Sequence, residues 1–238
     1  LPVRMQHLLQ LARLPALSDP QMVNELVTHM TRASAPTPSV ETILHALLPH
    51  RYVDHTHADA VLAITNTTNG EQRVREIYGD TVVVIPYVMP GFDLARRCAE
   101  IFPRESGANT LGMVLLNHGI FSFGATARES YERMIALVDR AERYLESKRA
   151  WHLPPPPAAG VDAHAASRVP TLRRHLSACA GQPLIVATQQ DARTLAFVRR
   201  DDLATIAQQG PATPDHVIRT KRVPLIGGDV ESYARAYR

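Results

Sequence analysis

Four consecutive prolines, Pro154 to Pro157, divide this chain more sharply than any other feature of its sequence. Proline fixes φ and carries no backbone N–H, so Leu153 to Gly160 reads as a stiff polyproline segment that cannot be helix. It separates a region over residues 1–150 from one over 171–238, with 151–170 as a proline-rich linker.

The first region alternates helical and strand signals, which points to an α/β fold. Ser18-Asp19-Pro20-Gln21 carries a capping side chain followed by proline, a helix start. Thr37-Pro38 opens a second helix running through His45 and Leu48. A short strand is expected from Arg51 to His55 and a helix from Ala58 to Ile64. Thr81 to Val88 is β-branched and continuously apolar, the pattern of a strand buried on both faces. Phe92 to Phe102 reads as helix, and Leu111 to Leu116 and Ile120 to Phe123 as strands around a kink at His118-Gly119. Thr126-x-x-Glu129 is a capping box. The stripe after it (Ala127, Tyr131, Met134, Ile135, Val138, Ala141, Tyr144, Leu145) repeats every 3.6 residues, so this helix is structural.

Beyond the linker, a helix is expected over 171–179, strands over 184–187 and 194–198, and short helices from Asp201 and Asp229, a smaller α+β extension. Thr213 to Lys221 reads as polar and irregular. Apolar residues make up 45% of 238, enough for a proper core, and no run of eighteen apolar residues suggests a membrane span. The net charge of +3 is spread along the chain and its short basic runs lack interleaved aromatics, so nucleic acid is not an expected partner. Two distant cysteines make no disulfide framework, which favours a reducing cytoplasm. No GxGxxG follows a strand, so no nicotinamide site is expected. The chain opens without methionine on a helical pattern, and a longer native chain is expected before Leu1.

The chemistry concentrates in a few histidines. His55 and His57 stand at a strand end, where residues i and i+2 point the same way and both imidazoles can converge on one point. Neutral imidazole nitrogens suit zinc. His118 follows another buried strand and precedes Gly119, where the backbone can turn. Three imidazoles with one open position make a catalytic zinc site; each could equally be an ordinary core or surface histidine.

His55-Thr-His57, followed by Asn117-His118-Gly119-Ile120-Phe121 and a capped amphipathic helix, resembles the class II aldolase and adducin family. Pro38-Ser39-Val40-Glu41 matches that family's acidic motif, and Pro86-Tyr87 lies between. The segment from Gly210 to Lys221 is similar to the aldolase part of bacterial rhamnulose-1-phosphate aldolase/short-chain dehydrogenase fusion proteins.

The resemblance implies a three-layer α/β/α fold with a mostly antiparallel central sheet, assembled as a homo-oligomer, a tetramer or dimer. It implies His55, His57 and His118 as ligands of a divalent metal, zinc first, and Glu41 as the catalytic acid/base. Aldol cleavage suits that set, since a cation polarises the carbonyl and stabilises the enediolate while a carboxylate moves the proton. Read without the resemblance, Glu41 is a first-turn carboxylate favoured by the helix dipole. The implied reaction is cleavage of a ketose 1-phosphate, such as rhamnulose 1-phosphate, to dihydroxyacetone phosphate and an aldehyde. A decarboxylase, dehydratase or epimerase on the same scaffold, or an adducin-like assembly protein, are the alternatives. The family's glycine- and serine-rich phosphate segment is not seen between Leu1 and Glu41. Asp54 and Asp59 are candidates to orient imidazoles, though Asp54 alternates away from His55 and reads rather as solvent-exposed or a backbone cap, and Asn117 is open to the same two readings. His45 and His50 can approach the site but read first as partly buried helix histidines. Tyr87 can pack or donate a proton, with packing preferred, and His216 can order a loop or touch substrate.

Overall fold

A computed structural model describes residues 2–152, 165–189 and 191–237. The polyproline segment therefore lies outside the described residues. The chain divides into two units: residues 1–150 with 212–214, and residues 151–211 with 215–238.

The first unit is built on a four-stranded sheet of β1 (Tyr52–Thr56), β2 (Val82–Ile85), β3 (Gly112–Leu115) and β4 (Gly119–Gly124), in the order β1-β4-β3-β2. The β1–β4 and β3–β4 pairs are antiparallel and β2–β3 is parallel, so the sheet is mostly antiparallel. Strand alternation sends two sets of side chains to opposite faces. Val83, Ile85, Met113, Leu115, Phe121 and Phe123 join one core with α1 (Met5–Leu11), α2 (Asp19–Thr28), α3 (Thr42–Leu47) and α6 (Phe92–Glu105). Val82, Val84, Val114 and Ile120 join a second core with α4 (Asp59–Thr65), α5 (Gly70–Tyr78) and α7 (Ala127–Ser147). Helices on both faces of one sheet make three layers. The continuous apolar run of β2 is explained by this burial: all four of its residues are inside.

Several boundaries differ from expectation for local reasons. Strand β2 stops at Ile85 because Pro86 has no N–H to continue the ladder. Helix α3 starts at Thr42 rather than at Thr37, because Ser39 first closes a turn of its own. Its hydroxyl accepts from the Glu41 N–H at 3.2 Å and its carbonyl from the Thr42 N–H at 3.0 Å. On α7 the buried line is Ser130, Met134, Leu137, Ala141 and Leu145, while Tyr131 and Ile135, expected in the stripe, are exposed.

A close approach fixes the sheet's middle. A Cβ on Gly112 would collide with the Phe121 carbonyl and lie 2.7 Å from Leu137 Cδ1 of α7. Gly112→Ala is therefore expected to cost about 2–3 kcal/mol by overpacking, read as a fall in Tm of roughly 5–10 °C.

The second unit is helical among its described residues: α8 (Ala165–Ala180), α9 (Ala192–Val198), α10 (Leu203–Ile206), α11 (Pro214–Arg219, whose first residue belongs to the first unit) and α12 (Val230–Ala236). The two strands expected there are absent among the described residues, so the α+β reading of this extension is corrected. Residues 184–187 join no ladder; the Leu184 N–H donates to Ser177 Oγ and its carbonyl accepts from Arg173. Residues 194–198 are helical because Asp191 caps them, its Oδ1 accepting from the Thr194 N–H at 2.8 Å. Helix α8 begins inside the segment read as linker, and α11 falls where irregular chain was expected. No helix among the described residues is long and apolar enough to cross a membrane.

Candidate metal centre

Strand β1 delivers His55 to one face of the sheet. His55 lies opposite Phe121 in the β1–β4 register, and its ring stacks on that phenyl at a centroid distance of 4.0 Å. His55 Nδ1 donates to the Ile120 carbonyl at 3.0 Å, which leaves Nε2 with its lone pair. That nitrogen faces His57 Nε2 at 3.0 Å, two residues on. This is the orientation metal-bound histidines adopt when a backbone carbonyl holds the other ring nitrogen.

His118 reaches the same point from the β3–β4 hairpin. The three-residue turn Leu116-Asn117-His118 closes with the His118 N–H donating to the Leu115 carbonyl at 3.2 Å. Asn117 takes the left-handed conformation such turns need, with φ at 58°. Its amide donates to the Thr65 carbonyl and to Asn66 Oδ1 at the end of α4, and Asn66 in turn donates to the Ala212 carbonyl. Asn117 therefore shapes and pins the turn. The His118 side chain is buried, 3% exposed.

Gly119, read from sequence as the point of turning, has a different role. A Cβ there would lie 2.6 Å from the Thr56 carbonyl oxygen, 2.9 Å from His55 Cε1 and 3.0 Å from His57 Cδ2. Its missing side chain is the space the two imidazoles occupy.

Glu41, at the N-cap of α3, completes the group. Its Oε1 lies 2.7 Å from His118 Nε2 and 3.3 Å from His55 Nε2, yet neither approach has hydrogen-bond alignment and the buried oxygen has no donor. Burial would push this carboxyl up, but the His118 and His55 imidazoles outweigh it and hold it well below the usual carboxylate range. Ligand atoms of Glu41, His55, His57 and His118 all lie within 4.8 Å of one another. A proton on His57 could satisfy the His55–His57 pair, but Glu41 Oε1 would still lack a partner. A cation at the centre would give Glu41 Oε1 and the imidazole nitrogens around it one shared partner, so the donor set fits a divalent metal. His118 Nδ1, on the other side of its ring, is a second buried atom without a partner.

The other candidates separate. His45 sits beside the group, its ring 6.4 Å from that of His55, and burial lowers its pKa. His50 instead stacks on Phe123 at 4.5 Å. Asp54 is exposed, as its phase one residue from His55 predicts, and Asp59 is exposed at the start of α4; the Ile120 carbonyl orients His55 instead. Tyr87 is exposed rather than packed, its hydroxyl bonded to the Met89 sulfur. His216 lies in the second unit, on α11. Sequence reasoning missed Phe121 as a platform, Ile120 as an orienting carbonyl and Ser39 as the turn that presents Glu41.

Residues 13–145 match the profile of the Class II Aldolase and Adducin N-terminal domain, and residues 163–237 that of the Aldolase class II, second domain. The chain belongs to the class II aldolase and adducin family. It is 33% identical over 216 residues to a Bacillus subtilis (strain 168) protein described as the uncharacterized oxidoreductase YuxG, covering 88% of this chain and 31% of that one. The chain thus spans about a third of the length of that curated relative. It is 43% identical to the solved N-terminal class II aldolase domain of a conserved protein from Thermoplasma acidophilum, with a TM-score of 0.54, over 60% of this chain and 65% of that chain.

Proposed function

We propose that this chain is a metal-dependent aldolase that cleaves a ketose 1-phosphate, such as rhamnulose 1-phosphate, into dihydroxyacetone phosphate and an aldehyde. His55, His57 and His118 are its metal ligands, with zinc the first candidate, and Glu41 is its acid/base. The single observation that carries this reading is the convergence of three imidazoles on a buried carboxylate oxygen that has no donor. A divalent cation held there supplies Lewis-acid polarisation of the substrate carbonyl.

The chain's own residues do the rest. His55 is fixed by the Ile120 carbonyl and by its stack on Phe121, so its Nε2 needs no reorganisation. Burial of His118 excludes water from the back of the site. In cleavage the C4 hydroxyl gives up its proton as the aldehyde carbonyl forms, and the bond between C3 and C4 breaks with its electron pair left on C3. Glu41, ionised at rest, takes up that proton and delivers it to C3. In condensation the ionised carboxylate removes that proton from C3. Membership of the family and the full set of histidines support a catalytic rather than an adducin-like role. Within the family we assign the chain to the aldolase part of aldolase/dehydrogenase fusions, acting as a homo-oligomer in the cytoplasm.

The test is a direct assay of the purified chain on rhamnulose 1-phosphate, coupled to detection of dihydroxyacetone phosphate. Stripping with a chelator is expected to abolish release, and zinc to restore it. Cleavage indifferent to chelation would sink the metal reading; no cleavage by the zinc-loaded full chain would sink this substrate.

A further inference from the structure

A second group of metal-ligating side chains lies outside this centre. His7 on α1 and Glu25 and His29 at the C-terminal end of α2 bring one donor atom each within 4.8 Å of the other two. Glu25 and His29 are four residues apart and so share a helix face. His7 Nε2 is 2.8 Å from Glu25 Oε2. His29 Nδ1 is 3.6 Å from the same oxygen and is held by the Glu25 carbonyl at 2.9 Å and Thr28 Oγ1 at 3.2 Å, so its Nε2 is the nitrogen left for an ion. The two rings stand nearly parallel, 10° apart, with centroids at 3.2 Å. The backbone builds the place in advance: the Arg4 N–H donates to the His29 carbonyl at 3.1 Å, the Thr31 N–H to the Pro2 carbonyl at 2.8 Å, and Val3 bridges Met30. The side chains are 20–33% exposed, which leaves them open to an ion from solvent.

We propose that His7, Glu25 and His29 form a second transition-metal site, a clasp that fastens α1 to the end of α2. Two imidazoles and one carboxylate are a known zinc donor set, with the fourth position left to water, and imidazoles favour zinc, nickel or copper over calcium and magnesium. To share one ion the two stacked rings would have to turn so that a nitrogen of each points at it. Packing links the clasp to the first site: Leu8 and Leu11 of α1 lie in the same core as Ile43 and Leu44 of α3, the helix that Glu41 caps.

The test is a zinc titration of the full chain with metal counted per chain, alongside hydrogen exchange of residues 4–12. The native chain is expected to bind two equivalents, and His7→Ala/His29→Ala and His118→Ala one each. The second equivalent is expected to slow exchange in α1 at least tenfold in the native chain and not in the double variant. Glu25→Gln, which keeps the shape and removes the charge, is expected to weaken the second equivalent at least tenfold. A double variant that binds as much zinc as the native chain overturns the clasp, as does α1 exchange that zinc leaves unchanged. The two sites fail separately: a single equivalent lost only in His118→Ala removes the clasp, and one lost only in the double variant removes the first centre.

Discussion

Replacing Glu41 by glutamine is expected to lower kcat for aldol cleavage by about 10²–10⁴-fold, the usual contribution of a positioned acid/base, while bound metal stays at the native count. The glutamine amide matches the carboxylate in size, so the pocket beside His55 and His118 should keep its shape. It cannot take a proton from carbon or return one. Three imidazoles remain, and three protein ligands suffice for a catalytic zinc. A second readout separates chemistry from binding. In deuterated water the native protein should exchange a C3 proton of dihydroxyacetone phosphate without any aldehyde present, and Glu41→Gln should not. Native turnover in the variant would remove Glu41 from the reaction. Loss of metal together with activity would instead make Glu41 a ligand, a role its place among the three imidazoles also allows.

What could be read from the sequence followed from local periodicity. The pairing of His55 with His57 needs only the two-residue repeat of a strand, and the burial of β2 needs only its unbroken run of valines and isoleucine. Helix α7 announces itself by its capping box, and Thr126 does accept from the Glu129 N–H. The errors arise where a distant or competing partner decides. Tyr131 and Ile135 fit an apolar period yet face outward, because the sheet meets the helix along the Met134–Leu137–Ala141 line. Residues 194–198 are rich in strand formers, but a single aspartate cap at 191 commits them to helix. The approach of Glu41 to the imidazoles joins residues 14 to 77 positions apart, so no local pattern reveals it; only the family's acidic motif did. The exposure of Asp54 was legible in the same way, because one step along a strand reverses the face.

Gly119→Ala is expected to empty the first metal centre and to destabilise the first unit by about 1–3 kcal/mol or more, the range for overpacking. The residue looks replaceable, because its φ is not among the positive values that favour glycine. The obstacle is space. A methyl group at 2.6 Å from the Thr56 carbonyl cannot be accommodated by a rotamer change, since that oxygen belongs to β1 where it pairs with β4. Either the two strands separate at their ends or the turn carrying His118 lifts. Both movements pull His118 away from the imidazoles of β1. The His57 ring can swing aside from the methyl, but then its Nε2 leaves His55 Nε2 and the convergence is lost anyway. Bound metal should therefore fall at least tenfold in Gly119→Ala at temperatures where circular dichroism still shows a folded chain. Gly112→Ala is the internal control: it strains the same hairpin at its far end, against Phe121 and Leu137, and should cost stability without metal. Equal metal content in the two variants would mean that glycine at 119 serves the sheet alone, and that the histidines do not share one ion.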